Sequence, residues 1–327
     1  MYNTIKLEEK LYSITGKTFT QALADLDPDI NYKGTELEGL DAFERQLKRF
    51  DIKITGKNSN MVEAFFMNSE TAVLFPEYVR RTVKQGMEEA SIFSDIAATI
   101  SYIDAIDYRS FSVSTTSSNT NSTSQQASNL KSSTVTLDSP AKEMTKYGRS
   151  LNFSYESIRK QRLDAVGVIL KQMGAQIARE MNVAAIDELT EDVTASTISG
   201  TEFTFSDIAT FWSEEEELNM SLLVVSPATL AKILTFDEMR DCQFDYVSGN
   251  AVKTPFGMTI VKCPGMDDSV AVGIDKTCGV EVVFGTELIV ETEKEILKQC
   301  NRVTTSITVG FSKLTDGAVA VLNLTNS

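Results

Sequence analysis

The chain of 327 residues contains no histidine. That absence removes Ser-His-Asp and Cys-His catalysis, imidazole metal ligation and the usual acid–base group of near-neutral pH together. Cysteine is scarce as well: Cys242, Cys263, Cys278 and Cys300 stand 21, 15 and 22 residues apart, as four separate singles. None has the close pairing that zinc sites use, so free thiols in a reducing compartment are expected, and neither a metal nor any other cofactor is. No apolar run approaches the roughly 20 residues of a membrane span. The opening Met1-Tyr2-Asn3-Thr4-Ile5-Lys6 lacks the charged-then-apolar order of a secretion signal, and the protein is expected to stay where it is made.

Positive charge is also in short supply. Lys and Arg number 31 against 46 Asp and Glu, a net charge of −15. Phosphate binding rests on cations that displace condensed counterions, so the chain is not built to wrap or condense nucleic acid. Otherwise the composition is that of a globular protein, 42% hydrophobic and 24% charged, and the length allows two domains or one elaborated one.

Several stretches imitate sites. Gly16-Lys17-Thr18 suggests a phosphate loop, but Leu11 occupies the position of the required upstream glycine. Asp25, Asp27, Asp29, Asn31 and Glu36 fall on five positions of a calcium loop; Ile30 stands where the sharp turn needs glycine, so a solvated acidic turn is expected. Adjacent Asp267 and Asp268 point apart and suit a polar loop better than a carboxylate dyad. Glu214 to Glu217 beside Trp212 suits a solvated helix face.

What is present is a distinctive order of elements. Leu40, Phe43, Leu47 and Phe50 recur at spacings of three and four, an amphipathic helix inside a turn-rich arm. A second helix opens at Phe75, Pro76 and Tyr78, with Pro76 in its first turn and Val83 and Met87 continuing it. From Ser114 to Ser133, 17 of 20 residues are Ser, Thr, Asn or Gln, a composition that cannot build a core. It is flanked by period-two patterns, Phe111 and Val113 before it and Val135 and Leu137 after it, which predict the limbs of an antiparallel hairpin from Arg109 to Asp138. At ~3.3 Å per residue its reach is roughly 45 Å, against a radius of gyration of roughly 20 Å for a compact chain of this length. Such a finger stays mobile or lies across a neighbouring subunit.

Next, Ser154 is expected to cap a long helix from Tyr155 to Thr190, carried by Leu163, Val166, Leu170, Met173 and Ile177, with Gly167 and Gly174 allowing close approach. Then come a buried strand at Leu222 to Val225 and a helix capped by Ser226-Pro227. Short strands follow at Met258 to Val261, Val270 to Ile274, Val280 to Phe284 and Leu288 to Glu291. A long alternating strand runs from Val303 to Phe311, and Val319 to Leu322 closes the series.

This order resembles the Hong Kong 97-type major capsid proteins of tailed bacteriophages over nearly the whole chain. The stretches that carry the likeness are Leu74-Phe75-Pro76-Glu77, the finger closing at Thr134-Val135-Thr136-Leu137, and Ser154 opening the spine. Further on they are Val225-Ser226-Pro227-Ala228-Thr229, Thr254-Pro255-Phe256-Gly257-Met258-Thr259-Ile260-Val261 and Val270-Ala271-Val272-Gly273-Ile274-Asp275-Lys276. The resemblance implies an α+β fold with an N-terminal arm at 1–70, an arm helix and the start of a peripheral domain at 71–105, and an extended loop at 106–140. It further implies a peripheral domain with the spine helix at 141–220, an axial domain at 221–308 and a return strand at 309–327.

The implied function is a structural, non-catalytic subunit that assembles as hexamers and pentamers into an icosahedral head. The head would enclose double-stranded DNA without reading its sequence, and would be built in the bacterial cytoplasm with portal, scaffolding and decoration proteins as partners. Residues 1 to about 60 are expected to be retained as a structural arm. The type member cross-links a finger lysine; Lys131 is the one lysine here, and no motif places its partners. An encapsulin-like compartment is the nearest rival, and a histidine-free hydrolase or an exported adhesin the more distant ones.

Overall fold

The structure is a computed structural model that describes residues 5–14, 17–105, 107–115, 133–137, 141–154, 160–214, 219–241, 252–295, 298–315 and 317–325. The chain divides into two compact units. The first comprises Met1–Glu89, Gly148–Ile177 and Leu288–Ser306; the second comprises Ala90–Tyr147, Ala178–Glu287 and Ile307–Ser327.

In the first unit, helix α1 (Phe19–Leu26) starts at a reciprocal cap between Thr18 and Gln21, and α2 (Ala42–Arg49) at one between Asp41 and Glu44. Both are capping boxes, in which side chain and backbone satisfy each other's orphan donors. At the end of α2, Asp51 takes a φ of 50° and Ile52 N–H returns to Leu47 O, closing the helix in a Schellman arrangement without glycine. Leu7, Leu23, Phe43, Leu47, Val62 and Phe65 are buried together with the following helix. Two capped helices with one 3-10 turn, Asp29–Tyr32, between them thus stand where an arm with one docking helix was expected.

Helix α3 (Phe75–Ala90) has Pro76 in its first turn and buries Phe75, Tyr78, Val79, Val83 and Met87. It lies against α4 (Leu163–Thr190), whose first half belongs to this unit. The approach is set by glycine: a Cβ on Gly86 would stand 2.1 Å from Lys171 O, and one on Gly174 2.1 Å from Val83 O. The long helix begins at Leu163, later than expected. Ser154 ends a strand that pairs with a later one, residues 155–159 after it lie outside the described residues, and the 28-residue helix is ~42 Å long rather than ~54 Å.

The strands of four residues or more among the described residues, in chain order, are β1 (Thr99–Tyr102), β2 (Phe111–Thr115), β3 (Ser133–Leu137), β4 (Thr145–Ser154), β5 (Leu222–Val225), β6 (Thr259–Lys262), β7 (Val270–Ile274), β8 (Val280–Phe284), β9 (Ile289–Glu295), β10 (Cys300–Lys313) and β11 (Val319–Asn323). In the first unit β9 runs antiparallel to residues 300–306 of β10, with Ile289 opposite Ser306. Gly148 of β4 passes so close to Thr305 that a Cβ would lie 2.5 Å from its carbonyl oxygen.

In the second unit β1 is parallel to β8, and β8 is antiparallel to residues 309–313 of β10. A six-stranded sheet runs in the order 196–197, β11, β7, β5, β6, 252–253. Its continuous apolar strand β5 is buried at every position, as expected for a central strand covered on both faces. Helices α5 (Phe205–Glu214) and α6 (Pro227–Ile233) carry Ile208, Phe211 and Ile233 into one core with Leu223, Val225 and Leu322. Ser226 caps α6 by accepting from Thr229 N–H, with Pro227 in the first turn, as the sequence predicts.

Candidate assembly interface

The predicted hairpin is present in its described part. β2 and β3 pair antiparallel with Phe111 opposite Leu137 and Val113 opposite Val135. Directly opposed residues share a face of the ribbon, so Phe111, Val135 and Leu137 lie on one apolar stripe. Phe111, Val135 and Leu137 are 43%, 64% and 67% exposed. Lys131 and the tip of the finger lie outside the described residues.

The other singled-out residues fall elsewhere. Leu163, Val166, Leu170, Met173 and Ile177 of the spine are buried. Phe75 and Tyr78 of α3 are buried too, and Pro76 half-buried. Tyr78 Oη donates to Leu163 O at 2.7 Å, so these residues join the two helices to each other rather than offering a surface. Burial pushes the Tyr78 phenol up to about 12.

The acidic stretch that imitates a calcium loop has another role. Asp27 is fully buried and accepts Nε of Arg45 at 3.0 Å and the Tyr32 hydroxyl at 2.6 Å. Arg45, itself buried, also donates to Asp29 at 2.8 Å and to the Leu40 and Asp27 carbonyls. The turn is solvated as expected at Asp25, Asp29, Asn31 and Glu36, but Asp27 sits in a buried ionic knot, because Arg45 projects from α2 back onto it.

A second knot centres on Glu77, in the first turn of α3. It accepts the Thr20 hydroxyl at 2.6 Å, Arg80 Nε at 2.8 Å and Arg81 Nε at 2.8 Å. Burial pushes its carboxyl up, but the hydrogen bond and charge of Arg80, with Thr20 and Arg81, outweigh this and hold it below its ordinary value. The Tyr12 hydroxyl accepts Glu77 N–H at 3.1 Å and donates to Val73 O at 2.7 Å, capping α3 from the far end of the N-terminal segment. Sequence reasoning missed both knots. Thr18-x-x-Gln21 and Asp41-x-x-Glu44 were the readable signals for the helices that build them.

Elsewhere, Asp267 accepts from the Ser269 hydroxyl at 2.8 Å while Asp268 accepts from Ser226, so the adjacent pair does point apart. Cys263, Cys278 and Cys300 are free thiols, and Cys242 lies outside the described residues. Glu214 ends α5, and 215–217 of its acidic run lie outside them too. Among the described residues no group of acidic or cysteine side chains could hold a metal ion, and no helix is long and apolar enough to cross a membrane.

A mixed fold with a two-stranded finger, a long helix and a separate six-stranded sheet is the Hong Kong 97-like capsid architecture. Solved structures share it, three of them as follows. The virus-like particle from Pyrococcus furiosus superposes with a TM-score of 0.56 at 13% identity, over 76% of this chain and 98% of that one. The capsid of an empty GTA particle gives 0.54 at 12%, over 72% and 90%. A structure from Gordonia phage Cozz gives 0.50 at 14%, over 72% and 87%. The sequence comparison with curated proteins finds no significant match. The model of the phage capsid protein family matches residues 140–320, and the chain belongs to that family.

Proposed function

We propose that the protein is the structural subunit of a tailed-phage head, assembling as hexamers and pentamers around double-stranded DNA with the β2–β3 hairpin laid on a neighbouring copy. The observation that carries the hairpin's part is the exposed stripe of Phe111, Val135 and Leu137. Apolar side chains aligned on a ribbon that is marginal alone find stability in a partner surface. Many such modest contacts per subunit suit a shell, since each anneals reversibly and all lock together. A net charge of −15 suits a container whose wall does not hold the DNA moved into it.

In this reading residues 1–70 serve as the N-terminal region, 71–105 and 141–220 as a peripheral domain, and 221–308 as an axial domain, whose sheet takes in β11 from the stretch 309–327 that was expected to return to the peripheral domain. Assembly takes place in the host cytoplasm, with portal, scaffolding and decoration proteins as partners, and the chain performs no catalysis. The absence of histidine and of any nucleophile–base motif supports that last point.

Electron microscopy of the expressed protein tests the reading. The wild type forms shells, and F111S/V135T/L137T yields folded subunits or capsomers that do not close. Wild-type protein that stays solitary at high concentration, or a triple variant that builds normal shells, overturns it. The likeness to a virus-like particle at TM-score 0.56 favours a second reading, a nanocompartment shell; protein cargo instead of DNA in particles from the native source would select it.

A further inference from the structure

The hairpin stands on a specific foundation in the second unit. Glu281 is paired with Ser312, and Val283 with Gly310, across β8 and β10, so these four share one face of the sheet. The two limbs cross that face at their root. Residues 107–108 pair antiparallel with 142–143, and Tyr108 and Met144 pack on Val283. The space they fill is made by missing side chains: a Cβ on Gly310 would lie 2.4 Å from Tyr108 Cε1, and one on Gly285 2.7 Å from Met144 Sδ.

One residue before β2, the Ser110 hydroxyl donates to Glu281 Oε2 at 2.6 Å. Ser312 donates to the same oxygen at 3.1 Å. Both serines are buried to 1% exposure. Hydrogen bonds to an ionised acceptor are stronger than neutral ones, and this pair ties the last residue before the ribbon to a strand inside the sheet.

We propose that Glu281 is the positioning residue of the hairpin: by holding Ser110 on the sheet face above the glycine socket, it fixes the direction in which β2 and β3 leave their unit. The proposal rests on the reading of the hairpin as an assembly element. A ribbon free to pivot at its root spreads its apolar stripe over many directions, and every contact with a neighbour must then overcome that loss of freedom. A root clamped before assembly removes most of this cost, and also limits the directions from which a neighbour can be met.

The test combines amide hydrogen exchange on the unassembled full chain with shell yield. Glu281→Ala is expected to speed exchange across residues 108–115 roughly tenfold or more, to leave β5 and β7 unchanged, and to lower the yield of closed shells. Glu281→Gln keeps an acceptor oxygen and restores both. Ser110→Ala removes only the hairpin side of the clamp and reproduces the effect if Glu281→Ala disturbs the sheet. Unchanged exchange at 108–115 in Glu281→Ala and Ser110→Ala overturns the clamp. Faster exchange with wild-type shell yield overturns its positioning role. The assembly reading itself is judged separately by the stripe variant F111S/V135T/L137T.

Discussion

Arg45 and Asp27 meet at 3.0 Å with both side chains out of solvent, a salt bridge closed inside the first fifty residues. Such a pair is worth little against an apolar replacement of both partners, but breaking one side leaves a buried charge alone. Arg45→Met is therefore expected to destabilise the subunit by about 3–5 kcal/mol, seen as a lower urea midpoint. The double variant D27N/R45M recovers part of it. Arg45→Lys also loses stability, because an ammonium cannot reach Asp27, Asp29 and the Leu40 carbonyl together. A wild-type midpoint in the Met variant would show that the knot is not what holds this segment.

Glu77 gives a pH dependence with a defined sign. Its folded value is held below the ordinary 4.5, so its contribution is complete above about pH 4.5 and is lost as pH falls through the lower folded value. Thermal unfolding from pH 6 to pH 3 should show the wild type losing stability below 4.5. Glu77→Gln starts lower at neutral pH and loses less over the same window. Parallel curves for the two would exclude the assignment.

The contact between α3 and α4 leaves no room for a methyl group. Gly86→Ala and Gly174→Ala each place a Cβ 2.1 Å from a backbone oxygen and should cost about 1–3 kcal/mol or more through overpacking. Gly200→Ala, where nothing is nearer than 3.8 Å, is the control and should change the unfolding midpoint little.

Thiol labelling separates the cysteines. Cys263 is fully buried, and burial, with the charge of Asp187 adding to it, pushes its thiol up to about 11. Cys278 is half-buried. In a C242S background at pH 8, Cys278 should react with a thiol reagent first and Cys263 only on unfolding, since the thiolate is the reactive form. Early labelling of Cys263 would contradict its placement.

Local patterns were readable where neighbours in sequence decide the structure. The alternation of Val303 to Phe311 lies within β10, Ser226-Pro227 opens α6, and the pattern of Phe111, Val113, Val135 and Leu137 gives the register of the hairpin. The start of the spine was placed too early because Ser154 reads as a cap, whereas the periodic apolar positions begin only at Leu163, where the helix starts. The two ionic knots were illegible for a different reason. Tyr12 reaches Glu77 across 65 residues and Arg45 reaches Asp27 across 18, and no local spacing encodes such meetings. Glu281 looked like an ordinary strand residue, since its partners Ser110 and Ser312 come from distant parts of the chain.

The interleaving of the two units has a consequence for synthesis. The first unit needs residues up to Ser306, and the second takes in β11 (Val319–Asn323), an interior strand of its sheet. At ribosomal rates of about 5–20 residues per second, neither unit closes until the last of some tens of seconds of translation. A nascent chain thus has no finished surface to offer its neighbours on the same messenger. Shell assembly is thereby expected to follow the completion of each subunit rather than to accompany its synthesis.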